Sequence, residues 1–263
     1  VSWRFLLRPK WIVRHVVVVT LVMSMAVLGM WQLRRLDDKR EHNRLVEDRQ
    51  EMAAAPVQDL VRPGTTVGDA AVDAVLYRSV TAVGTYLDDD TVVVENRSLN
   101  GSSGAWVLTP LRLDDQRAVV VNRGFLRFNH EGEIVAPRAP AGRVSVEGLL
   151  LASQQRGRFG ATDAAGDKLD VLARVDVERM AAQVAYDLLP AYVQLVVGMP
   201  SEDPVPAGAP AIVPLGPPQL DEGPHLSYAV QWFIFTTIAS GGYVLLLRRV
   251  ASEQAEEGRR PSV

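Results

Sequence analysis

Two uncharged apolar blocks stand at the two ends of the chain, and they restrict its fold more than anything between them. Val16 to Leu33 (VVVVTLVMSMAVLGMWQL) runs 18 residues without a charge, about 27 Å as a helix at roughly 1.5 Å per residue, close to the hydrocarbon thickness of a bilayer. Tyr228 to Leu247 (YAVQWFIFTTIASGGYVLLL) runs 20 residues without a charge and stops at Arg248-Arg249. Each block is predicted to span a membrane. Trp11 and Trp31 bracket the first as interfacial aromatics, with Arg14 and the Arg34-Arg35 pair just outside. A mean hydropathy of +0.05 conceals both blocks, because it averages apolar ends over a polar middle. A cleaved signal peptide is the rival reading for the first block, but the block exceeds the apolar core of such a peptide.

Orientation follows from Lys and Arg in the flanks. The first block is ambiguous, with Arg4, Arg8, Lys10 and Arg14 before it and Arg34, Arg35, Lys39, Arg40 and Arg44 after it. The second is not: residues 201–227 hold no Lys or Arg, whereas Arg248, Arg249, Arg259 and Arg260 follow it. The C-terminus is therefore expected in the cytoplasm. Two spans put the N-terminus there too and the middle of the chain outside.

That middle reads as mostly β. Residues 34–55 are charged and free of Gly and Pro, and extend the first helix as a stalk that Pro56 should end. Short runs rich in Val, Thr, Leu and aromatics follow, separated by turn residues. Strands are predicted at 78–86, 91–96, 105–113, 118–122, 143–151 and 191–197, and one helix at 176–188 with Asp176 as N-cap. Six strands and one helix suit a compact β-barrel or sandwich-like domain. The expected fold is a membrane protein with two transmembrane helices flanking an extracytoplasmic α+β domain, mainly antiparallel β. Its parts are a cytoplasmic N-terminus (1–15), transmembrane helix 1 (16–33), a helical stalk (34–55), the β-rich domain (56–199), a Pro-rich linker (200–224), transmembrane helix 2 (225–247) and a cytoplasmic tail (248–263). The linker holds eight of the 16 prolines and is expected to run extended.

Composition narrows the chemistry. With no Cys there is no disulfide, thiolate nucleophile, Cys-ligated metal or covalent haem attachment. A net charge of -3 offers no general basic surface for nucleic acid. No G-x-S-x-G, H-E-x-x-H or P-loop pattern occurs, and His130 is the only histidine away from the membrane-proximal regions, so hydrolysis has little support. His225 stands out. On a helix it shares a face with Tyr228, Ala229, Trp232, Phe235 and Thr236, an aromatic stripe with one ionisable group at its outer end. Such an imidazole suits haem iron above an apolar pocket, or, more plainly, water and headgroups at the interface. Gln32 is placed to hydrogen-bond across to the second helix, with Gln231 or Tyr228 as partners, and Gly241-Gly242 to let helices approach closely. Asp88-Asp89-Asp90 reads as a hairpin turn or a divalent-ion site. Arg123 and Arg127 read as turn-fixing residues or as partners of an acidic group such as a haem propionate.

Several segments carry a family pattern. Leu28-Gly29-Met30-Trp31-Gln32-Leu33-Arg34-Arg35-Leu36-Asp37-Asp38-Lys39 resembles the L-G-x-W-Q-x-x-R-x-x-x-K signature of the surfeit locus protein 1 family. Tyr77-Arg78-Ser79-Val80 with Gly84-Thr85-Tyr86, Thr109-Pro110-Leu111, Val119-Val120-Val121-Asn122-Arg123-Gly124-Phe125 and His225-Leu226-Ser227-Tyr228-Ala229-Val230-Gln231-Trp232-Phe233 agree with it in order. Where family members often carry a tryptophan shortly before an aspartate, this chain has Ala173-Arg174-Val175-Asp176. The resemblance implies a non-enzymatic assembly factor for haem a-type cytochrome c oxidase, assisting insertion or retention of haem a. Its partners would be oxidase core subunits or assembly intermediates, and the haem a synthesis machinery. It also implies that His225 contacts the haem iron, with Arg34, Asn122, Arg123 and Gly124 as motif positions. The physical expectation is a haem held transiently between the two spans, with Tyr228, Trp232 and Phe235 packing the ring and Trp31 and Gln32 closing the other side. The alternative is a structural or accessory protein that clamps oxidase subunits without binding haem. Only Lys10, Lys39 and Lys168 among 28 basic residues are lysines, the bias of a GC-rich genome, which points to a bacterial plasma membrane.

Overall fold

The computed structural model describes residues 4–62, 64–129, 132–158, 160–163, 166, 168–196 and 211–257. His130, Val197 and residues 200–210 of the expected linker lie outside the described residues. In chain order the elements are α1 (Pro9–Glu51), β1 (Ala55–Pro56), α2 (Val57–Leu60), α3 (Ala70–Asp73), β2 (Ser79–Tyr86), β3 (Val92–Leu99), β4 (Ser102–Arg112), β5 (Arg117–Arg127), β6 (Arg143–Ala152), β7 (Val171–Leu172), α4 (Val177–Ala181), β8 (Asp187–Leu195) and α5 (His225–Glu257). Contacts divide the chain into two units, 1–44 with 220–263, and 45–219. The first holds most of the two long helices packed together, and the second is an α+β domain built on a barrel.

α1 and α5 are each long and apolar enough to cross a membrane. The charged stretch after Leu33 continues α1 without a break to Glu51, because neither Gly nor Pro interrupts it. Ala55 and Pro56 then leave the helix and pair in parallel with Val80 and Thr81 of β2.

In the domain, β2 pairs with β6, β6 with β8, β8 with β5, β5 with β4, and β4 returns to β2 through Thr85↔Arg112 and Tyr86↔Leu111. That closes a five-stranded barrel, with β3 continuing the sheet from β4 as a hairpin. Closure depends on Gly84. A Cβ at this position would lie 2.1 Å from the Arg112 carbonyl oxygen, so only glycine lets β2 come this close to β4. All pairs among the long strands are antiparallel except β5 with β8. The barrel interior is apolar, with Val80, Ala82, Leu111, Val119, Val121, Leu150, Val193 and Leu195 at its centre. The opposite faces of β3, β4, β5 and β8 bury Val92, Leu108, Val120 and Tyr192 under Leu172 and Met180.

The one helix expected at 176–188 proves to be five residues long. Asp176 does cap it, its carboxylate accepting from the Arg179 N–H. Asp187 and Leu188 instead open β8, so the strand expected at 191–197 starts four residues earlier, because its Leu, Val and Tyr side chains fill the space between β5 and β6 and tertiary burial overrides local helix preference. Pro190 is tolerated because the β5–β8 register shifts between Ala118 and Val120, opposite it. The expected strand at 118–122 extends to Arg127 through a register irregularity at Val107/Leu108, beside Gly124.

The last described stretch before α5 is bound to the domain rather than free of it. Val213 exchanges both backbone hydrogen bonds with Phe125, at 2.7 and 2.8 Å, and Gln194 Nε2 donates to the Gly216 carbonyl at 2.8 Å. Gly124, at φ +134, makes room: a Cβ there would stand 2.4 Å from the Val213 oxygen.

Candidate functional site

Half-buried and buried positions on α1 recur in alternating steps of four and three: Trp11, His15, Val18, Val22, Met25, Gly29, Gln32, Leu36, Lys39 and Asn43. This is the 3.5-residue repeat of a close-packed helix pair. α5 answers with His225, Ala229, Trp232, Thr236, Ala239, Tyr243 and Leu247, running antiparallel to α1. The seam is tight at its closest points. Ala229 is 1% and Leu36 2% exposed, and a Cβ on Gly29 would lie 2.9 Å from the Phe233 ring.

Polar side chains close the seam at both ends. At one end, His225 Nδ1–H donates to Gln32 Oε1 at 2.9 Å. At the other, His15 Nδ1 is hydrogen-bonded to the Tyr243 hydroxyl, with the two rings in edge contact at 5.8 Å and Arg14 stacked 4.6 Å over Trp11. His15 and Gln32 are 17 residues apart on α1, about 26 Å, a separation close to the thickness of a hydrocarbon layer. Beyond the His225–Gln32 pair, Arg40 grips Glu222 in a two-pronged ion pair at 2.8 and 2.9 Å, and Asn43 Nδ2 donates to the Asp221 carbonyl. The Arg40 guanidinium holds the Glu222 carboxyl below its ordinary range.

The His225 geometry has a chemical consequence. A ring whose Nδ1 is held by an acceptor is fixed in one orientation, the arrangement usual for a metal-ligating histidine, and its Nε2 lies beside Gly223, 3.5 Å from where a Cβ there would stand. The structure thus joins His225 to Gln32, rather than Gln32 to Gln231 or Tyr228. It also divides the predicted stripe. His225, Ala229, Trp232 and Thr236 face α1, whereas Tyr228 is 48% and Phe235 41% exposed. Trp232 meets Phe235 edge to face at 6.1 Å, and Trp31 is 54% exposed. In an antiparallel pair, residues one position before each seam residue lie on the same flank. Trp31, Tyr228 and Phe235 are such residues and share that flank. A ring plane between the helices, as the sequence suggested, would have to part Phe233 from Gly29.

The other sequence candidates have structural employment. Arg34 is exposed on α1. Arg123 is 5% exposed and donates to the carbonyls of Pro137 and Arg138 at 2.9 and 3.0 Å, its guanidinium 5.9 Å over the Tyr86 ring. Burial lowers its pKa and raises that of Tyr86. Asn122 Oδ1 accepts the Gly124 N–H at 3.1 Å, shaping the bend that admits Val213. Asp88 accepts the Ala139 N–H and Asp90 pairs with Lys168 at 3.0 Å, so both carboxylates hold loops. No cluster of three potential metal-ligating side chains occurs among the described residues. Sequence reasoning missed the His15–Tyr243 and Arg40–Glu222 pairs. The four-three spacing from Trp11 to Asn43 was the signal that could have found the first.

The SURF1 family's sequence model matches residues 19–237, from within the first span to within the second. Uncharacterized SURF1-like proteins of Mycobacterium bovis and Mycobacterium tuberculosis are each 28% identical over 240 residues, covering 90% of this chain and 83% of theirs. A SURF1-like protein of Dictyostelium discoideum is 31% identical over 138 residues, 51% of this chain and 47% of its own. With the match running through both helices and the whole barrel between them, the chain belongs to the SURF1 family, known generally as cytochrome oxidase assembly factors.

Proposed function

We propose that this chain assists the assembly of haem a-type cytochrome c oxidase in a bacterial plasma membrane, helping haem a to enter or stay in the core subunit, and that it is not an enzyme. Haem a is its cargo, and His225 holds the iron. The observation that carries this reading is the His225–Gln32 hydrogen bond at one end of the helix pair, which orients the imidazole through Nδ1 and leaves Nε2 for a metal. The donor set fits a loosely held haem: one imidazole, exposed aromatic rings beside it, and no thiolate for covalent attachment.

The closed seam moves the proposed haem position outward, to the flank formed by Trp31, Tyr228 and Phe235, with Trp232 behind them. Single-sided ligation on an open flank favours transfer over retention, as a carrier requires. Both termini are placed in the cytoplasm and the barrel outside, because Arg248, Arg249, Arg259 and Arg260 follow the second span while 201–227 carry no Lys or Arg.

The test is co-expression with a haem a synthesis system, followed by purification and absorption spectroscopy of wild type and His225→Ala. Wild type is expected to be red and the variant colourless. Equal haem content in the two overturns the ligand role. A colourless wild type that co-purifies with oxidase subunits supports the clamp reading in its place.

A further inference from the structure

The flank of α5 opposite the aromatic one carries a groove. Val230, Phe233, Ile234, Thr237 and Ile238 line an apolar concavity of about 340 Å³. Val230, Phe233 and Thr237 each follow a seam residue by one position, so the groove lies across the seam from Trp31, Tyr228 and Phe235. The groove runs about 12 Å from Val230 to Ile238. Gly241 lies one turn beyond Thr237, and a Cβ there would meet nothing within 4 Å, so the helix surface stays open past the groove's end. Gly241 and Gly242 lower the helix propensity of a span whose packing against α1 uses neither of them. In lipid, small residues and shape-matched grooves mark where helices meet, because apolar side chains gain nothing by leaving one hydrocarbon environment for another.

We propose that this groove seats a transmembrane helix of the oxidase core subunit, with branched apolar side chains one turn apart, at three- or four-residue spacing, entering beside Thr237 and over Gly241. The argument for a helix is continuity. Phe233 packs on Gly29 in the α1–α5 seam and also forms one wall of the groove, so a third helix would extend an existing close-packed interface rather than start one. Its position leaves the aromatic flank open, and carrier and recipient can be joined while the haem flank stays accessible. The identity of the partner rests on the assembly role proposed above.

The experiment is photo-crosslinking in membranes that co-express the full chain with the oxidase. A benzophenone side chain replaces Ile234 in the groove, or Phe235 on the opposite flank. Ile234→benzoylphenylalanine is expected to give a core-subunit adduct at least tenfold stronger than Phe235→benzoylphenylalanine. Gly241→Leu is expected to reduce that adduct at least fivefold, and Gly242→Leu to leave it unchanged. Adducts only with lipid, only with a second copy of this chain, or equally from both flanks overturn the groove assignment. Oxidase content is measured in parallel in cells lacking the chain. Normal content there overturns the assembly role itself, whereas reduced content with lipid-only adducts overturns the groove alone.

Discussion

The barrel and the helix pair both bury polar side chains, and they use them differently. In the barrel domain, Asn122, Arg123 and Gln194 are bonded to main-chain groups: the Gly124 N–H, the carbonyls of Pro137 and Arg138, and the carbonyl of Gly216. Each of these bonds fixes the path of a loop or strap. In the helix pair, buried Asn43 also meets a main-chain carbonyl, that of Asp221, but half-buried His225 meets Gln32 and His15 meets Tyr243, side chain to side chain. A histidine bonded through one nitrogen keeps the other for chemistry, whereas a guanidinium with two carbonyls in its fork is committed to structure. The difference separates residues that make the fold from residues that remain available to a ligand.

The largest expected effect lies in the barrel. Gly84→Val puts a branched side chain where the Arg112 carbonyl stands 2.1 Å from the would-be Cβ, and either the β2–β4 closure opens or the backbone shifts. A loss of about 3 kcal/mol or more is expected in urea unfolding followed by tryptophan fluorescence. A change below about 1 kcal/mol would mean that closure is not needed for stability. Arg123→Met comes next, keeping bulk while removing two bonds from a charged donor. Each such bond contributes about 1.5–3 kcal/mol before the cost of burying the charge is subtracted, so a net loss of about 2–3 kcal/mol is expected by the same assay. Haem content should be unaffected in Arg123→Met. A parallel loss of haem would break the division between the two regions.

Gln32→Leu tests the other side of the comparison. The seam stays apolar and packed, yet His225 loses the acceptor that fixes its tautomer and ring angle. Loss of an orienting partner typically weakens metal binding 10- to 100-fold, about 1.4–2.7 kcal/mol. Spectroscopic haem titration should show that weakening while urea unfolding of the barrel is unchanged. If Gln32→Leu binds haem as wild type does, the hydrogen bond has a packing role only.

Most of the fold was legible because its signals are local. The spans announce themselves as uncharged blocks of spanning length, and five of the six long strands fall within three residues of their predicted starts because turn residues punctuate them, as at Asn100-Gly101 and Asp114-Asp115. β8 was misjudged at its start, since Asp187-Leu188-Leu189 looks helical until β5 and β6 claim it. Barrel closure joins residues of β2 and β4 some 25 positions apart and the parallel β5–β8 pairing residues some 70 apart, and neither leaves a local trace. At the candidate site, His225 and Gln32 were both visible as polar residues at span ends, but their bond to each other was not. His15 was passed over because the uncharged block begins one residue after it, and the block's edge, rather than the seam's spacing, drew attention.

The smallest expected effects compare one kind of ion pair in the two regions. In the β4–β5 turn, Asp114 takes hydrogen bonds from the Arg117 side chain and from the backbone N–H groups of Gln116 and Arg117, which lower its pKa to about 2. Beyond the His225–Gln32 end of the helix pair, Glu222 is lowered from its ordinary 4.5 by Arg40. Both pKa values are depressed in the folded state, so each contribution is fully present above the ordinary carboxylate pKa and is lost as pH falls through the folded one. Both pairs are exposed, and the stability each contributes is small and salt-sensitive. Asp114→Asn should therefore flatten part of the domain's acid limb between about pH 4 and pH 2, because three hydrogen bonds hold that carboxylate in one place. Glu222→Gln should leave the domain's unfolding curve as it was, and should act above the ordinary glutamate pKa, where the ion pair is present, and fade as pH falls below it, on the packing of α5 against α1, read as disulfide-trapping efficiency between engineered cysteines on the two helices. If Glu222→Gln instead alters the acid limb of the barrel, the two units share one cooperative transition, and the contrast between a structural domain and an available helix pair has to be redrawn.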